Sequence, residues 1–400
     1  MALLTIGRAI LCPSVPNRVT IRTWNGGSLM AKFDKAFRKE VNEVHPYIQG
    51  ETEAEVKRRY GLKAVIKLGS NENPYGPYYH AKQAMIRSVT TSNRYPEDDF
   101  IQMKAVIAQH VGLQPENVAL GSGAGNLIEN IAKMVLNTGD EVLIAKQSYR
   151  LYREASKLMG AKVIEIPLTN HFQFDLDQFA AKVTKQTKLI WLCNPNNPTA
   201  TVVNAQELRQ FIDQLPDHVW VVVDEAYAEF ADEGAIPDLT KLIGNKRLVV
   251  LRTFSKFYGL AGARLAYLLA APKVIQAYDT VTEPFNTSRI ALAGAIASLQ
   301  FDQAQAQSTL AKIQGDREGL IESLEILGCS VAPSQANFIF AKLPDDVPSA
   351  TEICEELMKR GVIVRDCTPW GYPNHIRITI GKHAELERFL NVFAETLARE

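Results

Sequence analysis

The sequence predicts an α/β protein: a large domain on a mostly parallel sheet, followed by a smaller α+β domain. Three observations lead there. Continuous apolar runs at Lys188–Cys193, Val219–Val223 and Leu248–Leu251 each close in polar or turn residues. Runs of that length suit strands covered on both faces, as parallel strands are. From about residue 80 helical and strand patterns alternate, as βαβ units require. Past about residue 291 the alternation gives way to a long helical stretch and then to mixed strands and helices.

The elements follow in order. Glu53–Tyr60 is charged and helix-like, and leads into a short strand at Ala64–Leu68. Asn71 to Pro77 is a loop by its Asn, Pro and Gly content. Phe100–Val111 reads as a helix and Asn117–Leu120 as a strand. Gly121-Ser122-Gly123-Ala124-Gly125 then opens a helix that runs to about Leu136. Glu141–Ile144 and Lys162–Ile166 are strands with a helix between them. Ala291–Leu327 reads as one long helix leaving the large domain. Beyond it come strands at Asn337–Lys342, Val362–Arg365 and Ile376–Ile380, with helices near Ser349–Arg360 and Ala384–Arg399. The expected division is an extension over 1–30, an arm and part of the small domain over 31–70, the large domain over 71–290 and the small domain over 291–400.

Composition excludes several function classes. With 44 basic and 44 acidic residues, nothing favours nucleic acid. Five scattered cysteines without a CxxC pair argue against a disulfide framework or a zinc site, and fit a reducing cytoplasm. The histidines show no metal-ligand spacing, so no metal is expected. No apolar stretch reaches the ~18 residues that span a bilayer. Leu3–Leu11 is broken by Arg8 and lacks a cleavage site, so it is no secretory signal. Asn25-Gly26-Gly27-Ser28-Leu29 has the look of a translated ribosome-binding stretch, which would make Met30 the natural first residue.

The chemistry centres on Lys256, which follows the apolar run Leu248–Leu251 among small residues and hydroxyls. Such a lysine can form a Schiff base with an aldehyde, while Thr253, Ser255 and Arg264 can bind a phosphate beside it. Pyridoxal phosphate carries both groups. Alone, a loop lysine is as readily a surface residue. Asn197, Asp224, Tyr227 and Lys256 all fall just past strand ends, where α/β sheets bind ligands. Asp224 can keep a pyridine nitrogen protonated, and Asn197 and Tyr227 can hydrogen-bond the ring's phenolate oxygen; taken singly, Asp224 reads more readily as a helix cap and Asn197 as a turn residue. The glycine loop is GxGxG rather than the dinucleotide GxGxxG and lacks a P-loop lysine. With Lys256 on the same sheet, it is assigned to the cofactor phosphate, Ser122, Gly123, Ala124 and Gly125 donating backbone amides and Ser255 and Arg264 completing the cup.

These segments, with Leu68 to Pro77, Arg94-Tyr95-Pro96, Pro333 to Phe338 and Arg377 to Gly381, resemble those of the fold-type I pyridoxal-phosphate aminotransferases. Within them the chain is most similar to the histidinol-phosphate aminotransferase family, from about Tyr47 to the C-terminus. The resemblance implies a pyridoxal-phosphate enzyme that exchanges an amino group between histidinol phosphate and glutamate/2-oxoglutarate. It implies Lys256, Asp224 and Tyr227 as catalytic residues, with Tyr149 stacked on the cofactor ring. It also implies a homodimer whose sites are shared, Tyr95 reaching the partner's phosphate. Arg377 matches the family's anion-binding arginine, and Arg365 and Tyr47 match substrate-side positions. The chain departs from the family at Gly125, at Gln147 and at Ala200, where glycine is usual. An aromatic or broad-specificity aminotransferase and a threonine-phosphate decarboxylase remain open as alternatives.

Overall fold

In the computed structural model, residues 37–44, 50–244 and 247–398 are described. The N-terminal extension, Met30 and Tyr47 lie outside them. The Glu53–Tyr60 helix starts at a capping box formed by Thr52 and Glu55 and ends at Gly61 in the left-handed conformation. β1 follows, but covers only Ile66–Lys67.

The large sheet is built from β2 (Val118–Gly121), β3 (Glu141–Ala145), β4 (Lys162–Ile166), β5 (Thr187–Cys193), β6 (Trp220–Asp224), β7 (Leu248–Thr253) and β8 (Ala266–Leu269). Its order is β2-β8-β7-β6-β5-β3-β4. β8 alone runs against the others. β2, β3 and β5 to β8 are buried almost throughout, as a sheet covered by helices requires. β8 has no counterpart among the sequence expectations, because Arg264 and the glycines before it read as an extension of the Lys256 loop. The carboxyl ends of β2, β3, β5, β6 and β7 share one edge of the sheet.

A second sheet runs β12-β13-β10-β9, from Arg365–Asp366, His375–Thr379, Phe338–Lys342 and Ser330–Val331. The run expected as one strand over Val362–Arg365 divides. β11 (Val362–Ile363) pairs with β1 in parallel, and β12 turns away to pair with β13. The single helix expected over Ala291–Leu327 is two, Arg289–Phe301 and Gln303–Ile326. The break is at Asp302, 1% exposed, whose carboxylate accepts from the backbone N–H groups of His80 and Ala81 at 3.0 and 2.8 Å. Asp302 thereby caps the Tyr79–Ser88 helix, giving acceptors to two of its orphan amides.

Candidate active site

A cleft of about 1340 Å³ opens at the carboxyl edge of the large sheet, against β11, β12 and the turn after it. Lys256 sits three residues past β7 and lines it. The Lys256 loop can approach the Asn71–Pro77 loop because Gly76 and Gly259 face each other; a Cβ on Gly76 would stand 2.4 Å from the Gly259 Cα. Asn73 Nδ2 and the Tyr78 hydroxyl both donate to Phe257 O at 2.7 Å and fasten the two loops. The Lys256 ammonium then donates to Ser70 O at 3.1 Å and lies 5.8 Å from the Tyr227 ring centre. Burial and the nearby Arg377 charge lower its pKa to about 8. A neutral amine is therefore accessible near physiological pH, as a nucleophilic or basic lysine requires.

Asp224 is the last residue of β6 and is 3% exposed. Its carboxylate accepts from the Tyr152 hydroxyl at 2.7 Å and from the Ala226 N–H at 3.0 Å. Burial pushes it up to about 6, against the lowering effect of those bonds. Tyr152, absent from the sequence-based set, is held by stacking on Trp191 at 5.1 Å. Trp191 in turn donates to Ser156 Oγ, which donates to Tyr152 O. Nothing local marks Tyr152, since it lies on the Leu151–Leu158 helix and its partner ends a strand 72 residues further on.

Asn71, too, carries no local signal beyond loop composition. Thr379 Oγ1 donates to Asn71 Oδ1 at 3.1 Å, so Asn71 Nδ2 faces the Tyr227 hydroxyl at 3.1 Å. Tyr227 thus accepts from Asn71 and keeps its own proton for a ligand oxygen. Burial raises its pKa far above the ordinary phenol value. Asn197 Oδ1 accepts from Arg377 Nη1 at 2.5 Å, which leaves the amide N–H groups as donors toward an oxygen ligand.

The glycine loop divides its work. Ala124 and Gly125, the first residues of the Ala124–Val135 helix, line the cleft. Ser122 and Gly123 do not; their N–H groups donate to Asn126 Oδ1 and to Gly121 O. Gly123 instead receives Arg264. Its φ is +84°, and a Cβ there would stand 2.2 Å from Arg264 Nη2. Arg264, itself left-handed at φ 58°, reaches the cleft beside Ser255 and the helix N-terminus. That is an anion cradle of cation, hydroxyl and first-turn amides. The Thr253 hydroxyl accepts from the Ser255 N–H and donates to Leu265 O, so it shapes the turn.

Tyr149 and Arg365 line the cleft, and so does Arg377, which is 5% exposed and donates to Gly69 O at 2.8 Å. Tyr95 does not. It is 69% exposed and stacks on Phe285 at 4.6 Å, away from the cleft of its own chain.

A buried amine, a buried carboxyl and an anion cradle on one sheet edge agree with the comparison to known families. The family model of class I and II aminotransferases matches residues 63–393. The chain belongs to that family. The histidinol-phosphate aminotransferase of Moorella thermoacetica is 36% identical over 363 residues, covering 90% of this chain and 93% of that protein. Histidinol-phosphate aminotransferase 2 of Pasteurella multocida is 38% identical, covering 89% and 97%. Among solved structures, the Sinorhizobium meliloti histidinol-phosphate aminotransferase in complex with pyridoxal-5'-phosphate superposes with a TM-score of 0.83 at 29% identity, over 90% of this chain and 97% of that one.

In this aminotransferase the departure at Ala200 becomes a backbone matter. Ala200 is fully buried at φ 62°, where glycine is unstrained. It is held there by its N–H on Asn196 O, within the turn that presents Asn197, and by Gln335 N–H on its own carbonyl, which ties that turn to the segment before β10. Gln147 supports the same turn, its carbonyl accepting from Asn196 Nδ2 at 3.0 Å. Among the described residues no group of His, Cys, Asp and Glu is arranged to hold a metal, and no helix is long and apolar enough to cross a membrane.

Proposed function

We propose that this aminotransferase uses pyridoxal phosphate to move an amino group between L-histidinol phosphate and 2-oxoglutarate, as a step of histidine biosynthesis in the cytoplasm. The observation that carries the cofactor assignment is the pairing of Lys256 with the cradle at Gly123 and Arg264, a reactive amine beside an anion site. The substrate assignment rests on the relatives' shared activity at 36–38% identity.

When bound, pyridoxal phosphate supplies an aldehyde carbon and a protonated ring that takes up the electron pair of the substrate α-carbon. Ala124 and Gly125 amides, Ser255 and Arg264 hold the phosphate, with Ser122 and Gly123 shaping the loop. Asp224, oriented by Tyr152, holds the proton on the ring nitrogen. Asn197 and Tyr227 donate to the ring oxygen, and Tyr149 covers the ring face. Lys256, once free, would take the α-proton and deliver it to the cofactor's aldehyde carbon on the far side of the transferred nitrogen. Arg377 binds the substrate anion through its planar fork, which suits a carboxylate and a phosphate alike. Arg365 and Tyr47 complete the substrate side.

Residues 71–290 are the cofactor domain in this reading, and 291–400 with 31–70 the smaller one; the β1–β11 pair supports the latter. The enzyme is a homodimer in which Tyr95 of one copy serves the other's phosphate. Its exposure, and its position away from its own cleft, support that role.

The test is a half-reaction screen that follows the absorbance of the lysine-bound cofactor with histidinol phosphate, phenylalanine and threonine phosphate. Fastest conversion with histidinol phosphate is expected. Faster conversion with phenylalanine would point to an aromatic aminotransferase, and carbon dioxide release from threonine phosphate to a decarboxylase.

A further inference from the structure

We propose that Trp370 is a positioning residue that holds Arg365 and Arg377 side by side and aimed into the cleft, and that latches their sheet to the loop carrying Tyr149. The proposal deepens the aminotransferase reading and rests on it for the identity of the anions.

The argument starts from register. Arg365 on β12 and Arg377 on β13 are direct cross-strand partners. Residues directly opposite on an antiparallel pair share a face, and like charges there repel. Both arginines line the cleft, so the repulsion is retained where an anion binds. The chain between the two strands turns through Thr368–Trp370 and closes at Gly371 with φ 85°. That turn brings the indole to 5.5 Å from the Arg365 Cζ and 5.9 Å from the Arg377 Cζ. One π-system therefore faces two cations. Its quadrupole offsets part of their repulsion without neutralising either, which keeps both available to a ligand. Arg377 is further seated against the Phe338 ring at 5.3 Å.

The indole is also tied down. Trp370 Nε1 donates to Ser148 O at 3.0 Å. Ser148 precedes Tyr149 and is itself anchored, its hydroxyl donating to Asn196 Oδ1 at 2.8 Å. The tie therefore runs from the four-stranded sheet to the loop after β3 of the large sheet. Other contacts join the two sheets nearby, but this one carries the residue that also touches both arginines. Trp370 acts through them, and its loss should weaken anion binding more than the chemical step.

The test uses the full-length holoenzyme and two variants. Trp370→Phe keeps a π-face and loses the N–H; Trp370→Leu loses both. Calorimetric titration with maleate and with inorganic phosphate reads the anion site directly, and steady-state kinetics with 2-oxoglutarate separates KM from kcat. Trp370→Leu should weaken maleate binding and raise the KM for 2-oxoglutarate by about tenfold, and Trp370→Phe by about threefold, with kcat within about twofold of wild type. Partial rescue by phenylalanine at unchanged thermal stability distinguishes positioning from general destabilisation. Wild-type affinity and KM in both variants would overturn the proposal, as would a loss confined to kcat, or a wild-type enzyme that binds neither anion. If Trp370→Leu does not fold, Trp370→Phe decides alone, and its unchanged affinity overturns the latch. A wild type that binds anions through Trp370 but does not transaminate would sink the functional reading and leave this proposal standing.

Discussion

Asp224 makes the sharpest prediction, because its burial works against the free protein and its charge works for the chemistry. The carboxyl is 3% exposed and pushed up from an ordinary 3.8 to about 6. A carboxyl that holds its proton more tightly when folded lowers stability as pH rises through the window between those values; above about 6 the full cost is present. At about 1.4 kcal/mol per tenfold change in acidity, the gap amounts to about 3 kcal/mol. Asp224→Asn removes the charge but keeps the shape and one carbonyl acceptor. The cofactor-free variant should therefore be more stable than wild type by about 2–3 kcal/mol at pH 8, with the difference shrinking as pH falls from about 6 toward 4. Urea unfolding of both cofactor-free proteins across that range measures it. The loaded variant should lose about 100-fold or more in turnover, since a neutral amide cannot hold the ring proton by charge. A variant less stable than wild type at pH 8 would refute the reasoning, because the bonds from Tyr152 and the Ala226 N–H would then outweigh burial. An unchanged α-proton step in single-turnover kinetics would reduce Asp224 to a cap.

Lys256→Ala should abolish turnover while the phosphate cradle retains the cofactor, as equilibrium dialysis and loss of the lysine-bound absorbance would record. In wild type the neutral amine does the capturing, so uptake of pyridoxal phosphate by the cofactor-free protein should quicken as pH rises through about 8 and level off above it. Gly123→Ala places a Cβ 2.2 Å from Arg264 Nη2 at φ +84°, and should weaken cofactor binding by about tenfold or more in the same dialysis. Ala200→Gly relieves a left-handed alanine and should raise unfolding stability by about 1 kcal/mol in denaturant titration. Arg377→Lys keeps the charge but loses the fork, so both half-reactions should suffer by less than the about 2–5 kcal/mol of truncation. Glutamate should lose more than histidinol phosphate, measured as separate catalytic efficiencies.

The α/β class was legible in the sequence, and so was the placing of four polar residues at strand carboxyl ends. Lys256, Asp224, Asn197 and Tyr227 are legible because buried parallel strands are short apolar runs, and ligand-facing residues come at their carboxyl ends. Gly123 is legible as a glycine; that it makes room for Arg264 is not, since the arginine arrives from 141 residues further on. Contacts between segments far apart in the chain had no local signature. Tyr152 looks like any helix residue until β6 brings Asp224 to its hydroxyl. Asn71 looks like loop punctuation until Thr379 fixes its amide. Asp302 sits inside an unbroken helical pattern, and its carboxylate meets the first-turn amides of another helix only in the fold. Arg365 and Arg377 become neighbours by strand register, and Trp370 becomes their common partner by the turn between them. Periodicity reports which face of an element is buried; it carries no information about which distant polar group will be waiting on the other side.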